Sequence, residues 1–262
     1  MKKLLVVLVI GSLAVLAGCF QIEQSMKLER DLSGSAGFTL GIDFEPMVLI
    51  MLQFQREMEG KEGPPTQEEI ANAKREFAEK MTAEEGVEDV EADRQRVRES
   101  LPKGVTLRDM SVDRQEMKLV MNFVFDFDHV SKLSQITLPQ KDGAGPESEM
   151  LVDRPFADLQ VVDEGDTILI TSKPSNPTEA VADQTQEAGA PESPELEEMM
   201  KKAFEDLRVA WEIDAPFDVV EHNATRVEGT KLIWEYDVAA LETMENEGSD
   251  AQTLQLRVRY RK

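Results

Sequence analysis

The chain has little of the residue types on which covalent stabilisation and catalysis usually depend. Among its 262 residues it has one cysteine, Cys19, and two histidines, His129 and His222. A single cysteine excludes a disulfide within the chain and a thiolate metal cluster. Neither histidine has partners at a spacing that would predict a catalytic triad. Phosphate-loop, zinc-ligand, nucleophile-elbow and calcium-loop motifs are also missing from the sequence, so we predict no cofactor and no catalytic residues.

Positive charge is scarce as well. The chain has 29 Lys and Arg residues against 52 Asp and Glu residues, a formal net charge of -23. A body this acidic repels nucleic acid and anionic lipid headgroups, so we expect no nucleic-acid partner. Hydrophobic residues still make up 41% of the chain, which is enough to build a core and too many for global disorder.

The first 18 residues have the layout of a secretory signal. Met1-Lys2-Lys3 is a short cationic segment, and an apolar stretch follows from Leu4 to Leu16. This stretch is shorter than the run of about 20 apolar residues that a transmembrane helix needs. Leu16-Ala17-Gly18-Cys19 comes next and resembles the lipobox of bacterial lipoproteins. The alternatives are an uncleaved membrane anchor, or an ordinary signal that happens to precede a cysteine.

The lipobox resemblance implies how the chain is processed and where it resides. Cleavage would fall between Gly18 and Cys19, and the Cys19 thiol would carry lipid that holds the protein at a membrane. Phe20, rather than Asp, follows the cysteine, which in enterobacteria-like sorting implies the outer membrane, facing the periplasm. In a cell with one membrane, the expected place is the outer face of the cell membrane.

Hydrophobic periodicity predicts an α+β fold with a mainly antiparallel β-sheet. Residues 1–18 are the signal, and residues 19–172 form an N-terminal α+β region with a helical insertion at about 45–101. Residues 173–194 are poor in large apolar side chains and predict a flexible, acidic, disordered linker or loop. Residues 195–262 form a C-terminal β-rich region, which we expect to join the same sheet.

Two groups of residues are candidates for binding. Asp126, Asp128 and His129 end a Phe-rich strand and could bind a metal ion if all three converged, although alternating acids on a wet strand face are the commoner cause of this pattern. The apolar segment with Met47, Met51 and Phe54 could form a soft ligand surface, because methionine adapts to varied apolar partners. The simpler interpretation of that segment is a helix packed on the sheet.

Two further stretches are similar to LppM-type lipoproteins, a family without assigned catalysis. The first is Asp31-Leu32-Ser33-Gly34-Ser35-Ala36-Gly37, where the family has an Asp-Gly-Ser-Gly-like turn and this chain has Leu32 and Ser33 in place of the first Gly-Ser. The second runs from Asn223-Ala224-Thr225 through Gly229 to Trp234, like that family's C-terminal hairpin. The resemblance implies an α+β envelope protein and identifies no catalytic residue.

These observations favour a membrane-anchored envelope lipoprotein that binds a protein partner or a lipid-like, apolar ligand without catalysis. A hydrolase that uses paired carboxylates is an alternative, since acids are abundant. A purely structural spacer at the membrane surface is another.

Overall fold

The computed structural model describes residues 20–61, 63–83, 90–139, 154–173, 202, 205, 207–240 and 255–262. The predicted signal, Cys19 and residues 174–194 of the predicted linker lie outside these residues.

The described residues form eleven strands, three α-helices and one 3-10 helix. In chain order these are β1 (Phe20–Leu28), β2 (Gly34–Asp43), α1 (Glu45–Met58), α2 (Gln67–Ala83), α3 (Val90–Ser100), β3 (Val105–Gln115), β4 (Lys118–Phe127), the 3-10 helix (Val130–Gln135), β5 (Gln160–Asp163), β6 (Thr167–Ser172), β7 (Arg208–Asp214), β8 (Asp218–His222), β9 (Arg226–Glu228), β10 (Lys231–Tyr236) and β11 (Leu256–Arg261).

The strands form two sheets. The larger has seven strands in the order β3-β4-β2-β1-β7-β10-β9, and the smaller has four in the order β5-β6-β11-β8. Only β1 and β7 pair in parallel among the described strands, and the other pairs are antiparallel. The prediction of an α+β fold with a mainly antiparallel sheet is confirmed.

The C-terminal strands are divided between the two sheets. β7, β9 and β10 extend the sheet that β1 to β4 begin, whereas β8 and β11 join β5 and β6. The inner faces of both sheets share one hydrophobic core, in which Trp211 and Trp234 from the larger sheet and Ile170, Val258 and Tyr260 from the smaller sheet are buried. The chain therefore crosses between the layers three times after β7: on the way to β8, back to β9, and again from β10 to β11.

The inner face of the larger sheet carries one continuous row of large side chains. Phe123, Phe38, Gln24, Trp211 and Trp234 lie opposite one another on β4, β2, β1, β7 and β10, and each is at most 5% exposed. Gln24 is the one polar member, and its amide nitrogen donates to the carbonyl oxygen of Pro155. This hydrogen bond holds the turn before β5 over the sheet, because a buried amide needs a partner.

Phe156 in that turn completes the packing. It is 1% exposed, and its ring lies edge-on to Trp211 with ring centroids 5.9 Å apart. Edge-to-face contact is a favoured arrangement for aromatic rings.

Two sequence-based boundaries differ from the structure. The polar run 113–116 predicts a turn, but β3 continues to Gln115, and the turn lies at Glu116 and Met117. Polar residues are compatible with the ladder here because this end of β3 is exposed. Residues 217–227 predict one strand, whereas the structure has β8 and β9 in different sheets.

The turn between β1 and β2 contains a leucine in a backbone conformation that glycine usually adopts. Leu32 has φ 67, in the left-handed region that glycine adopts most easily. Holding leucine there costs about 1–2 kcal/mol. The side chain packs against the core, and half-burying a leucine returns about 1 kcal/mol. Leucine is therefore tolerated at this position because its packing largely offsets the strain.

Asn223 joins the two sheets at the point where the chain crosses between them. Its Oδ1 accepts hydrogen bonds from Trp234 Nε1 at 2.8 Å and from the backbone nitrogen of Arg257 at 2.9 Å. Its Nδ2 donates to the carbonyl oxygen of Gln255 at 2.7 Å. β10 and β11 are thus connected through one side chain, at a position between β8 and β9.

We expect Asn223→Ala to lower the free energy of unfolding by about 2–3 kcal/mol, since it leaves the buried Trp234 N–H without its acceptor. Asn223→Asp keeps the acceptor and should cost less. Urea unfolding followed by tryptophan fluorescence measures both. Val227→Ala, at an exposed position on β9, is the control, with an expected change within about 0.5 kcal/mol. Equal stability of the Asn223→Ala and Val227→Ala variants would contradict this role.

Candidate functional site

One end of the larger sheet brings together the start of the described chain and the start of the helical insertion. Phe20, the first residue of β1, pairs with Ile42 near the end of β2. α1 begins three residues later, at Glu45. The backbone nitrogen of Phe44 donates to the carbonyl oxygen of Met117 at 2.8 Å, which ties the helix start to the β3–β4 turn. Cys19 is the next residue before Phe20, so any group on Cys19 is attached at this end.

α1 and α2 form a hairpin held largely by polar contacts. Arg56 Nη1 lies 2.6 Å from Glu69 Oε1, and Lys74 Nζ lies 2.5 Å from Glu45 Oε1. The rings of Phe44 and Phe77 have centroids 5.4 Å apart at the base of the hairpin. These contacts identify the side of α1 that faces α2.

The start of α2 has a capping box formed by Thr66 and Glu69. The Thr66 backbone nitrogen donates to Glu69 Oε2 at 2.8 Å, and the Glu69 backbone nitrogen donates to Thr66 Oγ1 at 3.3 Å. This reciprocal pair satisfies backbone donors that a helix start leaves without partners. The hydrogen bonds from Thr66, with a smaller contribution from Arg56, lower the pKa of the Glu69 carboxyl.

The predicted apolar candidates lie on the side of α1 away from α2. Met47, Met51, Phe54 and Met58 recur at helical spacing and share one face. We call these four residues the methionine stripe. Met47 packs against the core, Phe54 is half-buried, and Met51 and Met58 are 58% and 73% exposed. The stripe is therefore covered at its base and open toward the far end of α1.

The helical hairpin has little buried apolar surface for its length. Val48 is the one buried apolar residue of α1, beside buried Gln53 and Arg56. None of the side chains described for α2 is buried. Ion pairs join the two helices, together with the contact between Phe44 and Phe77. An amphipathic helix normally buries its apolar face, but Met51 and Met58, on the side of α1 away from α2, remain exposed.

Each of the three candidate metal ligands has its own hydrogen-bond partner within the chain. Both carboxylate oxygens of Asp126 accept hydrogen bonds from Arg108. Asp128 accepts from Lys132 Nζ at 2.8 Å. The Nδ1 atom of His129 accepts from the backbone nitrogen of Ser131 at 3.3 Å, which caps the 3-10 helix. The structure does not bring the three side chains together around a common point.

Gly104 shows how closely the Asp128–Lys132 pair is packed. Its φ is +93, and a Cβ on it would lie 2.3 Å from Asp128 Oδ2 and 2.2 Å from Lys132 Nζ. The positive φ favours glycine here, and a Cβ would displace the ends of both side chains.

The second histidine has a local backbone role. The Nδ1 atom of His222 accepts a hydrogen bond from the backbone nitrogen of Ala224 at 3.1 Å, in the same crossing that Asn223 organises.

The outer face of the larger sheet carries a shallow trough where β1 pairs with β7. Its volume is about 160 Å³, and its lining includes three carboxylates and two guanidinium groups. Arg208 lies 2.5 Å from Glu235, and Arg226 lies 3.7 Å from the same carboxylate. No local sequence pattern predicts this trough, because its two sides come from strands nearly 190 residues apart. The lining residues are Glu23, Gln24, Ser25, Thr39, Arg208, Ala210, Trp211, Glu212, Arg226, Ile233 and Glu235.

Hydrogen bonds and ion pairs lower the pKa of several surface carboxyls. Lys262 and the Gly165 backbone act on Asp163, and Arg259 and Thr167 act on Glu164. Ser33 acts on Asp31, and Lys61 and Gln55 act on Glu59. A general acid requires a raised pKa, so these groups are suited to holding the surface together rather than to donating a proton near neutral pH.

Within the described part of the chain, no group of three or more His, Cys, Asp or Glu side chains could hold a metal ion. The helices described there are all too short or too polar to cross a bilayer.

Comparison with known proteins finds similarity of fold among solved structures. No protein-family model matches this chain, and no curated protein matches it. The NMR structure of the folded domain of LppM from Mycobacterium tuberculosis aligns with 93% of this chain and 90% of that chain. The TM-score is 0.40 and the sequence identity is 9%.

The capping box makes the order of α2 dependent on pH. Since the folded pKa of Glu69 is lowered, the carboxylate stabilises α2 above its ordinary pKa, and this contribution is lost as the pH falls through the folded value. We expect acid to lower the amide protection factors, which are corrected for the pH dependence of intrinsic exchange, in residues 67–73 of the native chain. The Glu69→Gln variant should lack this pH dependence.

Thr66→Ala should weaken the same helix by about 1 kcal/mol at neutral pH, because it removes the N-cap hydroxyl. Hydrogen exchange read by mass spectrometry measures both effects, and the exposed substitution Gln67→Ala is the control. Identical exchange profiles in the native chain and both variants at all pH values would contradict the role of this pair.

Proposed function

We propose that this chain is a lipid-anchored protein of the bacterial cell envelope that binds a protein partner or an apolar ligand without catalysis. The observation that supports the proposal is the position of Phe20. The lipobox-like segment ends at Cys19, and β1 begins at the next residue, so the folded body starts where the lipid would be attached. An apolar leader joined directly to a central strand is the arrangement expected of an exported, lipid-anchored protein.

The attachment point is mechanically favourable. β1 has β2 on one side and β7 on the other, with nine and seven paired positions respectively. A lipid on Cys19 would therefore be held by the middle of a seven-stranded sheet rather than by a loop. Because one acyl chain gives only marginal membrane binding, stable anchoring would require the two or more chains that lipoproteins carry.

The methionine stripe is the surface that we assign to binding. Met51 and Met58 are exposed although they are large and apolar, and contiguous exposed apolar surface marks interaction sites. Unbranched methionine side chains adjust to an irregular partner at low cost. A structural spacer would not require such a surface, and a hydrolase would require an acid with a raised pKa.

We expect the mature protein to begin at Cys19, to carry acyl groups on that residue and to be recovered from membranes only with detergent. Cys19→Ser should leave the signal uncleaved and the lipid absent. Mass spectrometry of the N-terminal peptide measures both, and Ser12→Ala, which leaves the apolar stretch intact, should behave as the native chain does. A full-length, unmodified chain in the cell interior would overturn the proposed function.

The binding role has a separate test. Crosslinking of intact envelopes, followed by purification of the chain, should recover a bound protein or lipid. Recovery of neither, from a chain shown to be lipidated, would leave anchoring in place and contradict binding.

A further inference from the structure

We propose that the methionine stripe of α1 docks on the surface of a zwitterionic lipid bilayer, next to the lipid on Cys19. This proposal rests on the proposed lipid anchor and names the occupant of the binding surface. It predicts that the helical insertion lies against the membrane and sets the orientation of the folded body.

The stripe is available because α2 occupies the other side of α1. Glu45 and Arg56 point to α2, where they pair with Lys74 and Glu69. Residues of the stripe lie on the opposite side of the helix, so the hairpin cannot cover them by closing further. The core covers only the base of the stripe, through Met47. Met51 and Met58, one and three turns further along, remain open to solvent.

The position of the stripe relates it to the membrane. Phe20 pairs with Ile42, and α1 starts at Glu45, so the chain position that would carry lipid and the base of the stripe share one end of the sheet. With a rise of 1.5 Å per residue, all four stripe residues lie within about 20 Å of the start of α1 along its axis. Little chain separates Cys19 from β1, so the anchor would keep this end of the body at the bilayer surface.

The chemistry of the stripe fits the interfacial region of a bilayer. Its four members are uncharged, and helices that lie in this region present apolar side chains to the acyl boundary. Met51, Met58 and half-buried Phe54 bind weakly on their own, but attachment through Cys19 makes the contact intramolecular and raises its effective concentration. The overall charge of -23 repels anionic headgroups and a second copy of the chain alike. A neutral lipid surface is therefore the favoured occupant.

The test uses the full, lipidated chain with Met58→Cys. Once Cys19 is acylated, the new cysteine is the only free thiol and can carry a polarity-sensitive fluorophore. The protein is reconstituted in phosphatidylcholine vesicles with and without brominated acyl chains, which quench fluorophores that contact them. Arg75→Cys, at an exposed position on α2, is labelled in the same way as the control.

We expect bromolipid to reduce the emission of the probe at position 58 about twofold or more, as for a group buried at the acyl boundary, and to leave the probe at position 75 nearly unchanged. Adding Met51→Asp to the labelled chain should remove the quenching, whereas Met51→Leu should keep it. Because Met51 is 58% exposed, both variants should fold. Replacing half of the phosphatidylcholine with phosphatidylglycerol should weaken the quenching.

Each contrary result is distinguishable. If the chain floats with the vesicles but bromolipid quenches positions 58 and 75 equally, the docking proposal is wrong and the anchor stands. If the probe at position 58 is shielded from aqueous iodide without quenching by bromolipid, a second copy of the chain covers the stripe, and the docking proposal is again wrong. If the chain does not float with the vesicles, the proposed function fails and the docking proposal fails with it.

Discussion

The parallel pairing of β1 with β7 is the constraint on which the rest of the structure depends. Seven residue pairs, from Gln21 with Arg208 to Lys27 with Asp214, join the first strand of the body to its C-terminal half. This pairing makes β1 a central strand, and it places Gln24 beside Trp211 in the row that the turn before β5 covers. Without it, the first four strands and the C-terminal hairpin would each expose an apolar inner face, since neither set could bury that face alone.

The same pairing determines how a membrane would act on the protein. A lipid on Cys19 would be joined to the best-supported strand of the sheet, so tension at the anchor would be spread over the hydrogen bonds of both neighbours. The helical hairpin leaves the sheet at the same end. Ion pairs join its two helices, Met51 and Met58 stay exposed on the side of α1 away from α2, and its orientation would be set by the bilayer as much as by the core. The anchor would then keep the stripe beside the bilayer and raise the effective concentration of the stripe's weak contact.

Local chemistry explains which elements the sequence predicts well. The alternation of Leu119, Met121, Phe123, Phe125 and Phe127 predicts β4 because one face of that strand is buried and the other is wet. The Thr66–Glu69 pair predicts the start of α2, since the capping contacts span only three residues. Prediction is less accurate at Asp113–Gln115 and at Asn223, where polar residues indicate a turn or a continuous strand. The outcome there depends on ladder partners and on a crossing between sheets that distant residues provide.

The sequence by itself determined the fold class, the boundaries of most strands, the helical insertion and the prediction of a lipid anchor, because each of these depends on neighbours within a few residues. Tertiary structure alone decided that the C-terminal strands divide between two sheets, that Asp126, Asp128 and His129 take separate partners, and that Met47 is covered while Met51 and Met58 are exposed. The physical reason is that burial and pairing depend on which distant surfaces meet. The helical period shows which residues of α1 share a face, but only packing against the sheet and α2 determines which part of that face remains exposed.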